Sequence, residues 1–451
     1  MKNNTNSGEQ HREQNISYLD QKHHTQKPLI IERWYVRASI ILLFIVLLLL
    51  MFNVNVRSDT TFEYIITAFG TLGFTYLMSK LLLSFFYKPY TEEPNKEHKV
   101  SVVIPSYNED PEAVKQSFES LLEQDYPIHE IIFIDDGSDD PTSFHEINEY
   151  AKNGYISHNG HVTKVITHRF QKNRGKRQAM AWGFQRAEGD VFLCADTDGY
   201  LYPDALRELL KPFNNARVTS VVGHINARNV KDSFITRLQD ILYHNSFRIG
   251  RGAQSVTNSV LVCSGALSVH RREFVLEYLD EFLIEETMGI PLTNGDDRCL
   301  TYLSLKSGGK TKYQSTAMAI TDVPIKTGKF FKQQVRWAKS FFIYTIKTLD
   351  IAWKKPAVLY WILGEGFLWI IFGVAKVATL LTWSGNFMSL MLLYTIAYFI
   401  IISLISGIYY VYRNPILYLL APIFALAHTF IIIPVRVYAL ITIKQKTWGT
   451  R

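Results

Sequence analysis

Apolar residues gather at both ends of this chain and leave a polar middle, so the chain reads as a soluble domain framed by membrane-crossing segments. The first run, residues 38–54, is ASIILLFIVLLLLMFNV. With its flanks it nears the roughly 20 residues that a helix needs to cross the hydrocarbon layer. Asn53, Asn55, Arg57, Ser58 and Asp59 form a polar turn, and a second run covers 62–86. Lys80 and Lys88, near its end, can snorkel to an interface. Arg33, Arg37, Lys80 and Lys88 outnumber Arg57, which puts the N-terminal tail and the middle domain in the cytoplasm. Toward the other end, 357–381 (with Glu365 inside it) and 387–411 are two more candidate spans, joined by Trp383, Ser384 and Gly385. Residues 416–440 are apolar but interrupted by Pro422, Pro434 and Arg436, and a basic tail, 444–451, follows. A single crossing there would carry the basic tail outside, so a re-entrant hairpin is expected.

Composition supports this division. Over 451 residues, 47% are hydrophobic and only 20% charged, which excludes a disordered or fibrous chain and a simple soluble enzyme. Three cysteines, Cys194, Cys263 and Cys299, are too few for a disulfide scaffold. Residues 1–33 are polar and rich in Asn, Gln and His; they read as a flexible tail rather than a cleaved signal peptide. His11, His23 and His24 belong to that solvated tail.

The middle, 96–342, has the pattern of an open α/β sheet. Residues 100–105 (VSVVIP), 130–135 (EIIFID) and 190–195 (DVFLCA) are short apolar strands, and 112–124 is helical in character. The last two strands end in acids, where ligands of such sheets bind. Asp196-Thr197-Asp198 sets two carboxylates on one loop, a donor set for Mg²⁺ or Mn²⁺ bridged to a diphosphate, against the alternative of a turn or cap. Lys172, Arg174, Lys176 and Arg177 (KNRGKRQAM) form a basic cluster before a helix at 179–186, suited to a phosphate. Gly295-Asp296-Asp297-Arg298 supplies a further acid to take a proton from an acceptor hydroxyl; the sequence does not separate Asp296 from Asp297. In QQVRW, Gln333 and Arg336 share a helix face, Arg336 can clamp a phosphate and Trp337 offers a flat face to a sugar. The same segment reads as an amphipathic interfacial helix over 330–355.

Other chemistries lack their parts. No GxxxxGK[ST] phosphate loop and no GxGxxG opening a helix occurs, and RGAQS at 251–255 is too weak a signal. The net charge of +7 is scattered over loops and membrane flanks, so no nucleic-acid partner is expected. Cys263 has no base assigned to it and reads as a buried thiol lining a pocket.

Taken together, IPSYNED (104–110), IDDGSDD (134–140), NRGKR (173–177), DTD (196–198), VCSGALSVHRRE (262–273), GDDRCLT (295–301) and QQVRW resemble the processive family 2 membrane glycosyltransferases. SFFYKPY (84–90), NARNV (226–230), YQSTA (313–317), TDVP (321–324), KSFF (339–342) and the terminal WGTR (448–451) resemble the bacterial class I hyaluronan synthases in particular. The likeness covers about residues 60–451.

That resemblance implies a cytoplasmic GT-A (Rossmann-like) domain at 96–342, after two transmembrane helices at 34–90 and before transmembrane and re-entrant helices at 356–443, with 444–451 returning to the cytoplasm. It implies a multi-pass protein of the bacterial plasma membrane. As a monomer, this protein would polymerise hyaluronan from UDP-GlcNAc and UDP-GlcA and pass the chain through the bilayer. Tyr107, Asp136 and Lys176 would lie near the uridine, and Asp196 and Asp198 would hold Mg²⁺ or Mn²⁺ and the diphosphate. Asp297 would be the base, Arg336 would contact the diphosphate and Trp337 the acceptor sugar, Gln333 would be among the residues that bind the nucleotide sugar, and Trp448 and Arg451 would lie near the mouth of the site. The chain reads QQVRWAKSFF and CSGA where the streptococcal enzymes generally read QQNRWNKSFF and CSGP, so Val335, Ala338 and Ala266 are expected at the acceptor. Poly-GlcNAc or Glc/GlcA polymers are the alternative products, and an inactive transferase-fold sensor or scaffold is the non-enzyme alternative.

Overall fold

The computed structural model describes residues 33–56, 61–158, 160–284, 286–287, 289–292, 295–367, 396, 400–401 and 403–445. The chain divides into two compact units at Leu49/Leu50. The apolar runs near the N-terminus form two helices, α1 (Trp34–Val56) and α2 (Thr61–Phe85).

The central domain begins with β1 (Val100–Ser106), α3 (Pro111–Leu122) and β2 (Glu130–Asp135). Then come β3 (Tyr155–His158), β4 (His161–Arg169), α4 (Lys176–Arg186), β5 (Val191–Cys194), β6 (Gly199–Leu201) and β7 (Val218–Ala227). Next are α5 (Phe234–Asn245), β8 (Ser268–Arg271), the short hairpin of β9 (Glu286–Thr287) and β10 (Ile290–Pro291), α6 (Asp296–Lys306) and β11 (Lys310–Thr321). Two long helices follow, α7 (Thr327–Ala352) and, near the C-terminus, α8 (Ala421–Ile441).

Nine strands make one sheet in the order β3-β4-β2-β1-β5-β8-β7-β11-β6. The strands β4, β2, β1 and β5 run parallel, as β7 and β11 do, while β3, β8 and β6 are antiparallel to their neighbours. The central strands β2 and β5 are buried along their whole length, and β1 at every position but Pro105. Their near-continuous apolar runs follow from burial on both faces. Helices cover those faces through apolar side chains at helical spacing, such as Val114, Phe118 and Leu121 of α3. A second layer packs α4 and α6 together through Ala179, Met180, Phe184, Cys299, Leu300 and Leu303. Parallel register brings Ser106 opposite Asp135, so the carboxyl ends of β1, β2 and β5 open on one edge of the sheet.

The expected hairpin within 416–440 is corrected. After a short helix at Pro415–Leu419, α8 is continuous through Pro434. Its neighbour α7 holds it straight: Val435 and Ala439 are fully buried against Val335, Ala338 and Phe342. Packing of this kind offsets the hydrogen bond that a proline removes. Among the described residues, α8 is the one helix long and apolar enough to cross a membrane, and Trp34–Val46 is a shorter apolar stretch. Most of the 357–381 and 387–411 candidates, and the tail before Arg33, lie outside the described residues. Glu365, the acid inside the 357–381 candidate, is ion-paired with Lys80 of α2 and accepts from Tyr76 Oη at 3.0 Å. The two charges inside apolar runs therefore satisfy each other.

Candidate active site

A cavity of about 610 Å³ lies beyond the carboxyl ends of β1, β2 and β5. Tyr107, Asp136, Lys176, Asp196, Asp198, Asp296, Asp297, Gln333, Arg336 and Trp337 all line it, though they come from six segments of chain. Trp448 and Arg451 lie outside the described residues.

The two acids that end β2 divide their work. Asp135 is structural: it accepts from Ser138 N at 3.0 Å and Ser138 Oγ at 2.5 Å, and pairs with Arg169 Nε at 2.7 Å. Asp136 faces the cavity, yet each of its carboxylate oxygens accepts a backbone N–H, from Arg174 and from Gly175, both at 2.8 Å. Burial raises its proton affinity while those two donors oppose it. Asp136 thus anchors the loop that starts α4, where Gly175 takes φ +100°.

Of the predicted basic cluster only Lys176 reaches the cavity, and its Nζ donates to Asp196 Oδ1 at 2.7 Å. Arg174 stacks over the Phe170 ring at 4.7 Å. Arg177 turns inward, a correction to its assignment as a phosphate contact. It is buried and hydrogen-bonded to Asp296, Tyr344 and two backbone carbonyls.

Asp196 and Asp198 sit on one turn, closed by Gly199 N donating to Asp196 O at 3.2 Å. Two hard carboxylates on one wall suit Mg²⁺ or Mn²⁺. Among the described residues no group of three His, Cys, Asp or Glu side chains forms a cation site. The remaining oxygens of a bound cation would come from ligand and water.

The first turn of α6 lines the same cavity. Asp296 Oδ1 is held by Arg177 Nε at 3.0 Å. Asp297 carries one backbone N–H, from Arg298 at 2.8 Å, and burial pushes its carboxyl above the usual range. The geometry separates two acids that the sequence left equivalent.

Helix α7 closes the cavity with Gln333, Arg336, Trp337 and Ser340, an i, i+3, i+4, i+7 stripe. Arg336 has no ion-pair partner among the described residues. Gln333 Oε1 and Ser340 Oγ are buried without a hydrogen-bond partner among them. Orphaned polar atoms on a cavity wall point to a polar ligand. Ser340 was not singled out in the sequence, although it lies four residues beyond Arg336. Arg251 was set aside with RGAQS and also lines the cavity, donating to Val262 O at 3.2 Å and to Ser246 Oγ at 2.8 Å.

Val335 and Ala338 are corrected too. Both sit on the far face of α7 against α8, and only Ala266 of the three altered positions lines the cavity. Cys263 is buried behind the wall, with Val262 and Ser264 in front of it, and burial pushes its thiol up to about 12. It is not poised as a nucleophile.

Residues 101–279 match the family described as glycosyl transferase family 2. Among solved structures, a mannosyltransferase from Pyrobaculum calidifontis, in complex with GDP-Man and Mn²⁺, shares the fold. Its TM-score is 0.57 at 18% identity, over 82% of this chain and 99% of that one. The sheet is therefore that of a GT-A glycosyltransferase. A hyaluronan synthase of Streptococcus pyogenes is 40% identical over 417 residues, 92% of this chain and 97% of its own. An N-acetylglucosaminyltransferase of Azorhizobium caulinodans is 31% identical over 363 residues, 78% of this chain and 87% of its own. The chain belongs to the hyaluronan synthase family, within the family 2 glycosyltransferases.

Proposed function

We propose that this protein is a processive, inverting β-glycosyltransferase that builds hyaluronan from UDP-GlcNAc and UDP-GlcA and exports it across the bacterial plasma membrane. The observation that carries the site assignment is the single cavity whose lining gathers Asp196, Asp198, Lys176, Asp297, Arg336 and Trp337.

Asp196 and Asp198 would hold Mg²⁺ or Mn²⁺, which when bound supplies positive charge at the leaving diphosphate. Lys176 and Arg336 add fixed positive charge to the same group. Asp136 keeps the loop before α4 in place beside the nucleotide, with Tyr107 on the adjoining wall. Asp297 takes the proton from the acceptor hydroxyl; burial makes it a stronger base than a solvated aspartate. Inversion at an α-linked donor gives a β-linkage with one base and no covalent enzyme intermediate. Trp337 offers its ring to the acceptor sugar, while Gln333 Oε1 and Ser340 Oγ accept or exchange hydrogen bonds with its hydroxyls.

The helices α1 and α2 and the apolar stretches after Lys355 form the membrane part; α8, which packs through Phe424 on Leu238 and Ile241 of α5 and through Val435 and Ala439 on α7, lies along the cytoplasmic face without crossing, so the catalytic domain and both tails are in the cytoplasm. Sequence charge supports that orientation. Cysteines introduced into residues 1–30 and 444–451 should resist an impermeant thiol reagent in intact cells.

The deciding assay uses purified enzyme with UDP-GlcNAc, UDP-GlcA and UDP-Glc, singly and in pairs, followed by a hyaluronan-specific lyase. Lyase-sensitive polymer made only from UDP-GlcNAc plus UDP-GlcA supports the reading. Long polymer from one donor would reassign the product. Absence of UDP release with every donor would reassign the chain to a non-enzymatic role.

A further inference from the structure

Arg177 is next to a residue of the cavity wall but faces away from the cavity. All three of its nitrogens donate. Nε donates to Asp296 Oδ1 at 3.0 Å, Nη2 to Tyr344 Oη at 2.7 Å, and Nη1 to the carbonyls of Phe282 and Ile284, both at 3.4 Å. One guanidinium therefore joins α4, the start of α6, helix α7 and the segment that leads into the β9–β10 hairpin. A planar five-donor group is the side chain that can satisfy such a divergent set.

The same corner is fixed from a second side. Gly295 precedes α6 with φ +85°, and a Cβ there would stand 2.1 Å from Ser340 Oγ. Ser340 and Tyr344 are one turn apart on α7, so the backbone at Gly295 and the carboxylate of Asp296 dock on a single helix face. Successive helical residues point about 100° apart. With Asp296 tied inward, Asp297 is directed into the cavity.

We infer that Arg177 is a positioning residue for the reaction: it fixes the rotation of α6 through Asp296 and neutralises that carboxylate beside Asp297. This rests on the reading of Asp297 as the base. Asp296 and Arg298 face Asp297 from its own helix, Lys176 from α4, and Arg251 and Cys263 from the wall behind. Asp296 raises the proton affinity of Asp297 through its charge, and Arg177 sets against it a paired cation of low exposure. Without Arg177 the Asp296 carboxylate is left poorly solvated and uncompensated next to the base.

The two partners of this pair therefore have opposite effects on the base. The test compares full-length purified Arg177→Gln, Asp296→Asn and the double variant. The readouts are initial UDP release from pH 5 to 9 with both donors, and UDP affinity by calorimetry. Arg177→Gln should lower kcat about 10- to 100-fold and move the acid limb up by about one pH unit. Asp296→Asn should move that limb down, and the double variant should bring it back toward the parent. UDP affinity should change by no more than about twofold. A limb that stays put in Arg177→Gln, or that moves the same way in both single variants, overturns the inference. So does a loss of UDP affinity parallel to the loss of rate, since Arg177 would then be a phosphate contact. If Arg177→Gln does not fold, Asp296→Asn alone decides by the direction of its limb, with Tyr344→Phe as the milder variant. Tyr344→Phe should lose several-fold in kcat at unchanged donor KM, and full activity in it counts against the inference. Asp297→Asn separates the two levels of argument. Turnover in that variant removes the base assignment itself, whereas silence there with an unmoved Arg177→Gln limb removes only the positioning role.

Discussion

Lys176 and Arg177 are consecutive, yet their cations hold different acids of the cavity lining: Lys176 Nζ lies 2.7 Å from Asp196 Oδ1, and Arg177 Nε lies 3.0 Å from Asp296 Oδ1. The first turn of α4 thus touches both the proposed diphosphate site and the helix that carries the proposed base. Lys176 is partly exposed, so its pairing with Asp196 is screened and modest. Its value lies in charge offered to an anion.

Lys176→Gln should weaken UDP binding about five- to tenfold at low salt, and less at high salt where surface charge is screened. Calorimetry at two ionic strengths checks this. An affinity loss independent of salt would mean that Lys176 acts through structure instead.

Divalent metal should be required. Excess EDTA should stop polymer formation, and added Mg²⁺ or Mn²⁺ should restore it. Asp198→Ala should remove the metal dependence of UDP binding while leaving the thermal transition within a few degrees of the parent. Full turnover in EDTA would remove the metal from the reading.

The acid side of the pH profile follows from Asp297. The base works deprotonated, and burial raises its folded-state proton affinity. Activity is then full above that raised value and is lost as pH falls through it, at a higher pH than an ordinary aspartate near 3.9 would give. Asp297→Asn should cost at least about 100-fold in kcat with UDP affinity retained. A profile that stays flat down to the ordinary aspartate range would contradict the assignment.

Much of this site was legible in the sequence because its residues follow strand ends. VSVVIP, EIIFID and VFLCA announce β1, β2 and β5, and acids after such strands point to a ligand edge. What the sequence left open is what depends on side-chain direction. Asp135 and Asp136 are adjacent and chemically identical, and only the fold turns one to Arg169 and the other to the Arg174–Gly175 backbone. Asp296 and Asp297 part in the same way, through Arg177. Ser340 escaped notice because a lone serine carries no signal until its neighbours on the helix face are known. Val335 and Ala338 misled because they adjoin Arg336 and Trp337 in sequence, whereas a helix turns them to its other side.

That other side can be tested. Val335 packs with Val435 and Ala439, away from the cavity. Val335→Asn would bury an amide against apolar side chains at a cost of about 1–3 kcal/mol. The expected result is a lower thermal transition and lower yield, with the donor pair and product unchanged. A switch of donor preference in a stable Val335→Asn enzyme would return that position to the acceptor site.

Gly295 offers the sharpest steric test of how α6 is seated. Its φ of +85° is a region where a Cβ is strained, at about 1–2 kcal/mol. In addition, the Cβ would stand 2.1 Å from Ser340 Oγ and 2.9 Å from Ser340 Cβ. Relief requires α6 and α7 to part at the point where Asp297 and Arg336 face the same cavity. Gly295→Ala should therefore lower kcat strongly while UDP, whose proposed contacts lie outside α6, binds nearly as before. Adding Ser340→Gly removes the clash but not the backbone strain, so the double variant should recover part of the thermal stability. Its recovery of rate should be smaller, because Ser340 Oγ is itself an orphaned polar atom on the cavity wall. Thermal unfolding, calorimetry and UDP release on the two variants read these three quantities separately. Parent-like turnover in Gly295→Ala would show that the seating of α6 on α7 does not govern the base.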